Sequence, residues 1–516
     1  MSAATLDGPG TPVGQRPEDE RLSPGGMLSY GLQHILSMFG GIISVPIIIG
    51  GAAGLDSAGK AFLLSCALFV SGIATVLQSY GVPYLGSQLP LVQGISFASV
   101  STLLTIIGSR GTDGLRAAFG ACIVAGIIAF AVVPLFAQII RFFPPVVTGS
   151  IITVIGISLM PVAGKWITGQ PTITVVKDGK AGPIANPDFA SMNNVILALI
   201  TLAIVLVLYR IKRLARLAIL LGLALGTIVA YVLNTFMTFP KGTINTLDLS
   251  KSSPLAFPTP FHFGAPIFEI GAIVSMLIVF IVVMVETTAD IIAVGEVVGS
   301  EVPSHRVADG LRADMLSSTV APMFNTFPAT AFAQNVGLVA LTGIKSRFVV
   351  TVGGVILAIL GLSPWLAAVV NIIPLPVLGG AGLALFGSVA ASGIRTLSKV
   401  NYDGNNNLVI VAVSIAFGVL PSLLPAVPGY ISRGFWGGFP HEIGLVLESG
   451  ISAAAIVAFL LNLFYNVLGK GSDGSAHELR AHRPARAVDH EMIDALPDTP
   501  RGATGPAAPA PRDPLH

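Results

Sequence analysis

The stretch FAQNVGLVALTG, Phe332 to Gly343, places two adjacent side-chain amides inside a region that otherwise suits the hydrocarbon core of a bilayer. The amides belong to Gln334 and Asn335, and Gly337 follows them closely. A polar group in hydrocarbon costs several kcal/mol of free energy unless it is hydrogen-bonded. The stretch therefore indicates either hydrogen bonding between membrane helices or a site for a polar ligand.

The composition around this stretch is that of an integral membrane protein. Of 516 residues, 53% are hydrophobic and 10% are charged, and the mean hydropathy is +0.82. These values lie well outside the averages of soluble domains. The long runs are apolar at nearly every position, which predicts helices rather than barrel strands, where apolar and polar residues alternate. We expect an all-α polytopic fold with about 12 to 14 spans. Their predicted starts lie near Met27, Ala61, Leu91, Leu115, Pro144, Asn194, Leu217, Ala265, Asp309, Phe332, Phe348, Pro374, Leu408 and Ile443.

The ends and the charged loops predict the topology. Residues 1–24 and 470–516 lack apolar periodicity, and we expect both to be disordered tails around a membrane domain at 25–469. Basic residues follow the even-numbered spans, which predicts that both termini are cytoplasmic. These residues are Arg210, Lys212, Arg213, Arg216, Lys345, Arg347, Arg395 and Lys399. The net charge of +2 says little about partners, and we expect no nucleic-acid partner.

A short internal repeat suggests two homologous halves. Pro145 to Gly149 reads PVVTG, and Pro376 to Gly380 reads PVLGG. Each copy follows a weak, Gly-interrupted apolar segment, as expected of a transporter whose halves contribute broken elements at the midplane. Proline is also a good residue for the first turn of any helix, so the match has a second explanation.

Two carboxylates lie within one apolar run, VVMVETTADIIAVGEVVG. Glu286 and Asp290 are four residues apart and therefore share one face of a helix. Two like charges at this spacing destabilise each other, which suits a site that carries a proton part of the time. The alternative is a helix end at the water interface, where both groups would be solvated.

Other polar residues in apolar runs leave two interpretations each. His34 is either a proton relay or a side chain bonded to a neighbouring helix. Asp314 is either part of a buried site or a loop-end charge beside Arg312. Cys66 and Cys122 have no metal-site spacing, so we expect packing residues, with no metal and no disulfide.

The amide of Gln334 presents a donor and an acceptor in one plane, which matches the N–H and C=O edge of a planar heterocycle. Glu286 adds an acceptor for a second ring N–H, and Phe97, in QGISFAS, can stack on a ring. The alternative is that Gln334 and Asn335 hold helices together by hydrogen bonds.

With these motifs the sequence resembles the nucleobase-ascorbate transporters, also called nucleobase:cation symporters of the second type, from about Gly25 to Gly469. The signature of that family is matched by Gln334, Asn335, Gly337, Thr342 and Gly343. Its Gln-His pair is matched by Gln33 and His34, and its acid pair by Glu286 and Asp290. Gln334 stands where uracil carriers have Glu, and Asp290 where they can have His. Both differences favour the xanthine and urate branch.

The resemblance implies 14 segments in two inverted seven-segment repeats, core and gate subdomains, short strands in the third and tenth segments, and a homodimer. It implies substrate contacts from Glu286, Gln334, Ser96, Phe97 and Ala333. Site support or proton coupling would come from His34, Asp290, Asp314 and Asn335.

We therefore expect an inner-membrane symporter that imports urate or xanthine with protons and needs no cofactor. Three alternatives stay open: a carrier of uracil or another nucleobase, an anion carrier of the same architecture, and a membrane enzyme. An anion carrier should offer a basic residue or bare helix N-termini at the midplane, where this sequence offers carboxylates. For an enzyme, we find no nucleophile-base pair and no metal cluster in the sequence.

Overall fold

The computed structural model describes residues 16–139, 142–169, 172–177, 180–212, 214–240, 243–244, 255–424, 435–436 and 438–468. Its helices are α1 (Pro24–Ala52), α2 (Ser57–Tyr80), α3 (Val100–Ile107), α4 (Thr112–Ile139), α5 (Pro145–Thr168), α6 (Met192–Arg210), α7 (Ala218–Leu233), α8 (Ile270–Val298), α9 (Ser304–Val320), α10 (Ala333–Thr342), α11 (Arg347–Gly361), α12 (Pro364–Asn371), α13 (Leu375–Leu397), α14 (Asn407–Leu423), α15 (His441–Glu448) and α16 (Gly450–Asn462). The strands are β1 (Gln93–Ile95), β2 (Thr172–Lys177), β3 (Lys180–Ala185) and β4 (Ala329–Ala331).

Within these described ranges, nine helices are long and apolar enough to cross a membrane. The pair α11 and α12, bent by 80°, brings the number to ten if it forms one span. The chain is thus a mostly helical polytopic membrane protein, as the composition predicts. Several other predicted spans are built from shorter pieces, since α3 and α10 are short helices that each follow a strand.

Helix starts follow ordinary capping chemistry. Ser23 precedes α1, and its hydroxyl accepts a hydrogen bond from the backbone N–H of Gly26 at 3.3 Å. Asp56 caps α2 in the same way, accepting from the N–H of Gly59 at 2.8 Å. Each cap satisfies a backbone donor that the first turn of a helix leaves free.

Two helix pairs pack closely through glycine. A Cβ on Gly72 of α2 would lie 2.3 Å from the backbone nitrogen of Ala358 in α11. A Cβ on Gly156 of α5 would lie 2.3 Å from the backbone nitrogen of Ala390 in α13. Only glycine permits this approach, and small residues let membrane helices meet backbone to backbone. The α5–α13 pair joins the two helices that begin with the repeated Pro-Val sequence.

Strands β1 and β4 pair antiparallel in the protein interior, with Gln93 opposite Ala331 and Ile95 opposite Ala329. All six residues of the two strands are buried. A 3-10 turn, Phe97–Ser99, leads from β1 into α3, and α10 follows β4 after Phe332. Because β1 and β4 are paired, the two places where the chain changes from strand to helix lie side by side. The stretch FAQNVGLVALTG begins directly after β4.

The all-α prediction needs one correction, because β2 and β3 form an antiparallel hairpin between α5 and α6. The run TITVV within β2 is rich in Thr, Val and Ile, which favour strands. This hairpin was not predicted from the sequence, because it lies in the connection between two of the long apolar runs that predict helices.

A second correction concerns the predicted N-terminal tail, 1–24. Residues 1–15 lie outside the described part, as does the predicted tail at 470–516, but residues 16–23 pack against the membrane domain. Glu18 is fully buried and pairs with Arg306 at the start of α9. Asp19 accepts a hydrogen bond from Nε of Arg347 at 2.6 Å. These partners are distant in sequence, so a local compositional argument could not identify them.

Candidate functional site

The site is built around the aromatic ring of Phe332, between β4 and α10. A Cβ on Gly94 of β1 would lie 2.5 Å from Cζ of this ring, and one on Gly41 of α1 would lie 3.0 Å from Cε2. The ring of Phe97 stacks on it with centroids 6.3 Å apart and planes at 23°. Phe386 of α13 meets Phe97 edge-on at 6.0 Å. The two glycines therefore leave the space that the Phe332 ring occupies.

A cavity of about 220 Å³ opens beside this ring. Its lining comes from α1, from α10 and from the α6–α7 connection, with Leu385 and Ser388 of α13 completing the wall. Phe332 and Gln334 both line it. The position of Gln334 agrees with the predicted binding role, which the geometry leaves as a hypothesis. Phe332 was not among the predicted site residues. It lies just after β4 and contacts Gly94 diagonally, since the partner of Gly94 in the strand register is Thr330, and no local sequence signal marks such a contact.

The two neighbouring amides of α10 point in different directions. The side chain of Gln334 is exposed to the cavity and Ala333 is exposed beside it, whereas Asn335 is fully buried. Oδ1 of Asn335 lies 2.7 Å from Nδ1 of His34 on α1, and Nδ2 donates to the carbonyl oxygen of Pro90. The contacts of Asn335 agree with the interpretation that it holds two segments together by hydrogen bonds. The position of Gln334 on the cavity wall agrees with the interpretation that it contacts a ligand. His34 is bonded to a neighbouring segment.

The carboxylates of α8 and α9 lie in the interior. Asp314 is 1% exposed, and its Oδ2 accepts from the hydroxyl of Thr287, one residue after Glu286, at 2.5 Å. Arg312 pairs with Asp309 instead. The interpretation of Asp314 as a loop-end charge beside Arg312 is therefore wrong: the helical turn directs these neighbouring side chains to different faces of α9.

Asp290 and Glu286 differ in their exposure. Asp290 is 7% exposed, and its Oδ2 has no hydrogen-bond partner among the described residues. Glu286 is half-buried. α8 packs against α10, and the hydroxyl of Thr287, next to Glu286, lies 3.2 Å from that of Thr330 in β4, so this part of α8 lies beside the segment that leads to Gln334. No hydrogen bond joins Glu286 to Gln334 within the described ranges.

The remaining predicted residues, Ser96 and Phe97, surround the end of β1. Ser96 is fully buried, its backbone N–H donates to the carbonyl oxygen of Pro328 at 2.8 Å, and its hydroxyl has no partner among the described residues. Phe97 is 9% exposed and supports Phe332 rather than lining the cavity itself. Gln93 is a further buried polar residue here, and its side-chain amide lies beside the carboxyl group of Asp314. Its position in a weak apolar segment was the available sequence signal.

The described part of the chain contains no group of three or more His, Cys, Asp or Glu side chains that would hold a metal ion. Cys66 and Cys122 are both buried thiols that are not joined in a disulfide.

Buried polar groups and a cavity between membrane helices, next to strand-to-helix breaks, are the arrangement of a secondary transporter. The Xan_ur_permease family model, described as a permease family, matches residues 25–427, and the chain belongs to that family. The resemblance to nucleobase transporters indicated by the three motifs is thereby confirmed, and the chain is a transporter rather than an enzyme.

Relatives of similar length support this assignment. The chain is 38% identical over 472 residues to the uric acid transporter UacT of Escherichia coli (strain K12), covering 90% of this chain and 92% of UacT. It is 38% identical over 448 residues to a xanthine permease of Bacillus subtilis (strain 168), covering 86% and 95% of the two chains.

Among solved structures, the transmembrane domain of the cyanobacterial bicarbonate transporter BicA matches with a TM-score of 0.52 and 16% identity. The match covers 84% of this chain and 97% of that domain. At this identity the likeness shows the fold alone.

Proposed function

We propose that the chain is a proton-coupled symporter that imports an oxidised purine nucleobase, urate or xanthine. The observation that carries the proposal is the pairing of the Gln334 amide with the Phe332 ring on the wall of one cavity. A planar donor-acceptor edge beside an aromatic face is what a flat heterocycle with alternating N–H and C=O groups needs. The names of the relatives, a uric acid transporter and a xanthine permease, support the same substrate class.

Each site residue then has a role in this proposal. Gln334 pairs with one N–H and C=O edge of the purine, and Glu286 accepts a second N–H. Phe97 holds the Phe332 ring in place. Ala333 and Ser96 do not line the cavity itself, so their contact with the base stays a prediction of the family resemblance. Glu286 is half-buried and does not line the cavity itself, so this contact requires the base to reach from the cavity toward α8.

Proton coupling would use the buried polar groups behind the cavity. Asp290 has a carboxylate oxygen without a hydrogen-bond partner in the described part of the chain, and Asp314 is buried beside Thr287 and the amide of Gln93. A buried carboxylic acid costs less free energy than a buried carboxylate, so both groups suit the uptake and release of a proton. Asn335, bonded to His34, would keep α1 and α10 in register during the cycle.

The topology that accompanies this function has fourteen segments in two inverted halves. The two strand-to-helix breaks, β1 with α3 and β4 with α10, would be its third and tenth segments. Both termini would be cytoplasmic, and the contact of Arg347 with Asp19 supports this by placing a predicted cytoplasmic loop beside the N-terminal segment. Assembly as a homodimer in the inner membrane completes the proposal.

Transport by purified protein in proteoliposomes tests the function. Labelled urate, xanthine, uracil and bicarbonate are supplied outside, with and without an inward proton gradient. We expect gradient-dependent accumulation of urate or xanthine that a protonophore abolishes. Selective uptake of uracil or bicarbonate would replace the purine assignment, and purine accumulation without a proton gradient would remove proton coupling.

A further inference from the structure

The wall of the cavity carries an unusual charge. Among the described residues that line it, Arg216 is the single charged side chain, and no carboxylate lines the same space. Arg216 lies in the 3-10 turn Ala215–Leu217, directly before α7, and is half-buried. Gln334 and Phe332 lie on the wall contributed by the segment around α10.

Arg216 also lacks a counter-ion. Within the described ranges it makes no ion pair and no hydrogen bond, whereas Arg110, Arg306 and Arg347 pair with Glu269, Glu18 and Asp19. A half-buried guanidinium without a partner keeps five donors free in a planar fork. A planar anion with adjacent acceptors can satisfy that fork by two parallel hydrogen bonds.

The neighbourhood of Arg216 suits a flat anion. Tyr209, in the last turn of α6, lines the same cavity and is 43% exposed. Its ring offers an aromatic face and its hydroxyl a further hydrogen-bond donor. The α6–α7 connection thus contributes an aromatic group and a cation to a cavity whose other polar groups are neutral.

We propose that Arg216 is a second contact for the substrate. Its guanidinium binds anionic purines on the side of the α6–α7 connection and thereby discriminates urate from xanthine. The inference rests on the function proposed above and adds a determinant of substrate charge to it. Urate is a monoanion under conditions where xanthine is still neutral, because the extra oxygen makes its ring N–H groups more acidic. A cation that faces the cavity lowers the free energy of the anion and leaves a neutral purine almost unaffected.

Equilibrium binding to the purified full chain in nanodiscs of zwitterionic lipid tests the inference, since no anionic headgroup then competes for the guanidinium. Labelled urate and xanthine are compared at a mildly acidic pH, where the first is anionic and the second neutral. Arg216→Gln removes the charge, and Arg216→Lys keeps it without the planar fork. Arg210→Gln, at an exposed position of α6 that does not line the cavity, is the matched control.

We expect Arg216→Gln to weaken urate binding about 5- to 20-fold and xanthine binding by less than about twofold. Arg216→Lys should lie between wild type and Arg216→Gln for urate, because the charge is kept and the bidentate geometry is lost. Arg210→Gln should bind both purines as wild type does.

A wild-type measurement tests the same point without depending on the folding of any variant. Added salt should weaken urate binding and leave xanthine binding unchanged, because only the first involves opposite charges across a partly solvated cavity. Equal losses for both purines in Arg216→Gln, no loss for either, or equal salt dependence would overturn the inference while leaving the proposed function intact. Wild-type protein that binds neither purine would overturn both.

Discussion

Replacing Gly94 by alanine tests the aromatic wall of the cavity most directly. The added Cβ would lie 2.5 Å from Cζ of Phe332, with Cε1 and Cε2 at 2.7 and 2.9 Å. Carbon atoms in favourable contact are about 3.5 to 4.0 Å apart, so the ring has to move by about 1 Å. Gly41 of α1 already lies against the Cε2 edge, which leaves the cavity as the open direction.

The displaced ring would occupy the space where the purine stacks. Stacking of a base on an aromatic side chain is worth about 1 to 3 kcal/mol, so we expect Gly94→Ala to weaken urate and xanthine binding by about 5- to 150-fold. The overpacked interior should also lose about 1 to 3 kcal/mol of the free energy of unfolding. Equilibrium binding and thermal unfolding in detergent measure the two effects on one preparation.

Two further variants separate the local clash from a general loss of structure. Gly164→Ala, on α5, is the matched control, because no atom lies within 4 Å of the Cβ it would add and Gly164 does not line the cavity. The double variant Gly94→Ala with Phe332→Leu should regain thermal stability, since the smaller side chain relieves the clash, but not affinity, since the ring is gone. If Gly94→Ala binds both purines as tightly as Gly164→Ala does, the Phe332 ring does not contact the substrate.

Three other changes test separate parts of the molecule. Glu286→Gln should weaken purine binding by about 1.5 to 3 kcal/mol and flatten its pH dependence, because a charge-assisted hydrogen bond is lost. Normal binding with an intact pH profile would place the substrate away from α8. Asn335→Ala should lower the free energy of unfolding by about 2 to 4 kcal/mol, because His34 and the Pro90 carbonyl lose a buried hydrogen-bond partner. Unchanged thermal stability with lost affinity would make Asn335 a substrate contact instead. For Asp19, burial raises the carboxyl pKa, but hydrogen bonds and charge from Arg16 and Arg347 outweigh burial and lower it. A lowered folded-state pKa stabilises the fold above the unfolded pKa of about 4 and loses this effect as the pH falls through the folded value. Asp19→Asn should therefore be destabilised by about 1 kcal/mol at neutral pH and match wild type in acid, and a difference independent of pH would contradict the ion pair.

The class of fold and the helices that carry the site followed from the sequence, because long apolar runs and the polar residues within them are local properties. The direction of each side chain did not. Gln334 and Asn335 are adjacent and point about 100° apart on a helix, but the sequence predicted Gln334 as a substrate contact and Asn335 as site support without excluding that both hold helices together. Only the packing of α1 against α10 decides that Asn335 faces His34 and Gln334 faces the cavity.

Residues whose role depends on a distant partner were those whose contacts the sequence could not show. The role of Phe332 is visible only from its contact with Gly94, and the two residues meet because β1 pairs with β4. Arg216 was interpreted as one of several basic residues that set the topology, since nothing local distinguishes a cation beside a cavity from one beside a membrane surface. Asp314 gained its partner Thr287 from another helix in the same way.

The docking of residues 16–23 has a consequence for biogenesis. Asp19 and Arg347 are separated by 328 residues, and Glu18 and Arg306 by 288. Residues 16–23 therefore lack these two partners until most of the membrane domain has been synthesised. Until then, the carboxylates of Glu18 and Asp19 cannot form these two contacts. Docking of this segment is thus a late step, and a fusion placed between residue 16 and α1 should delay assembly more than one attached ahead of it.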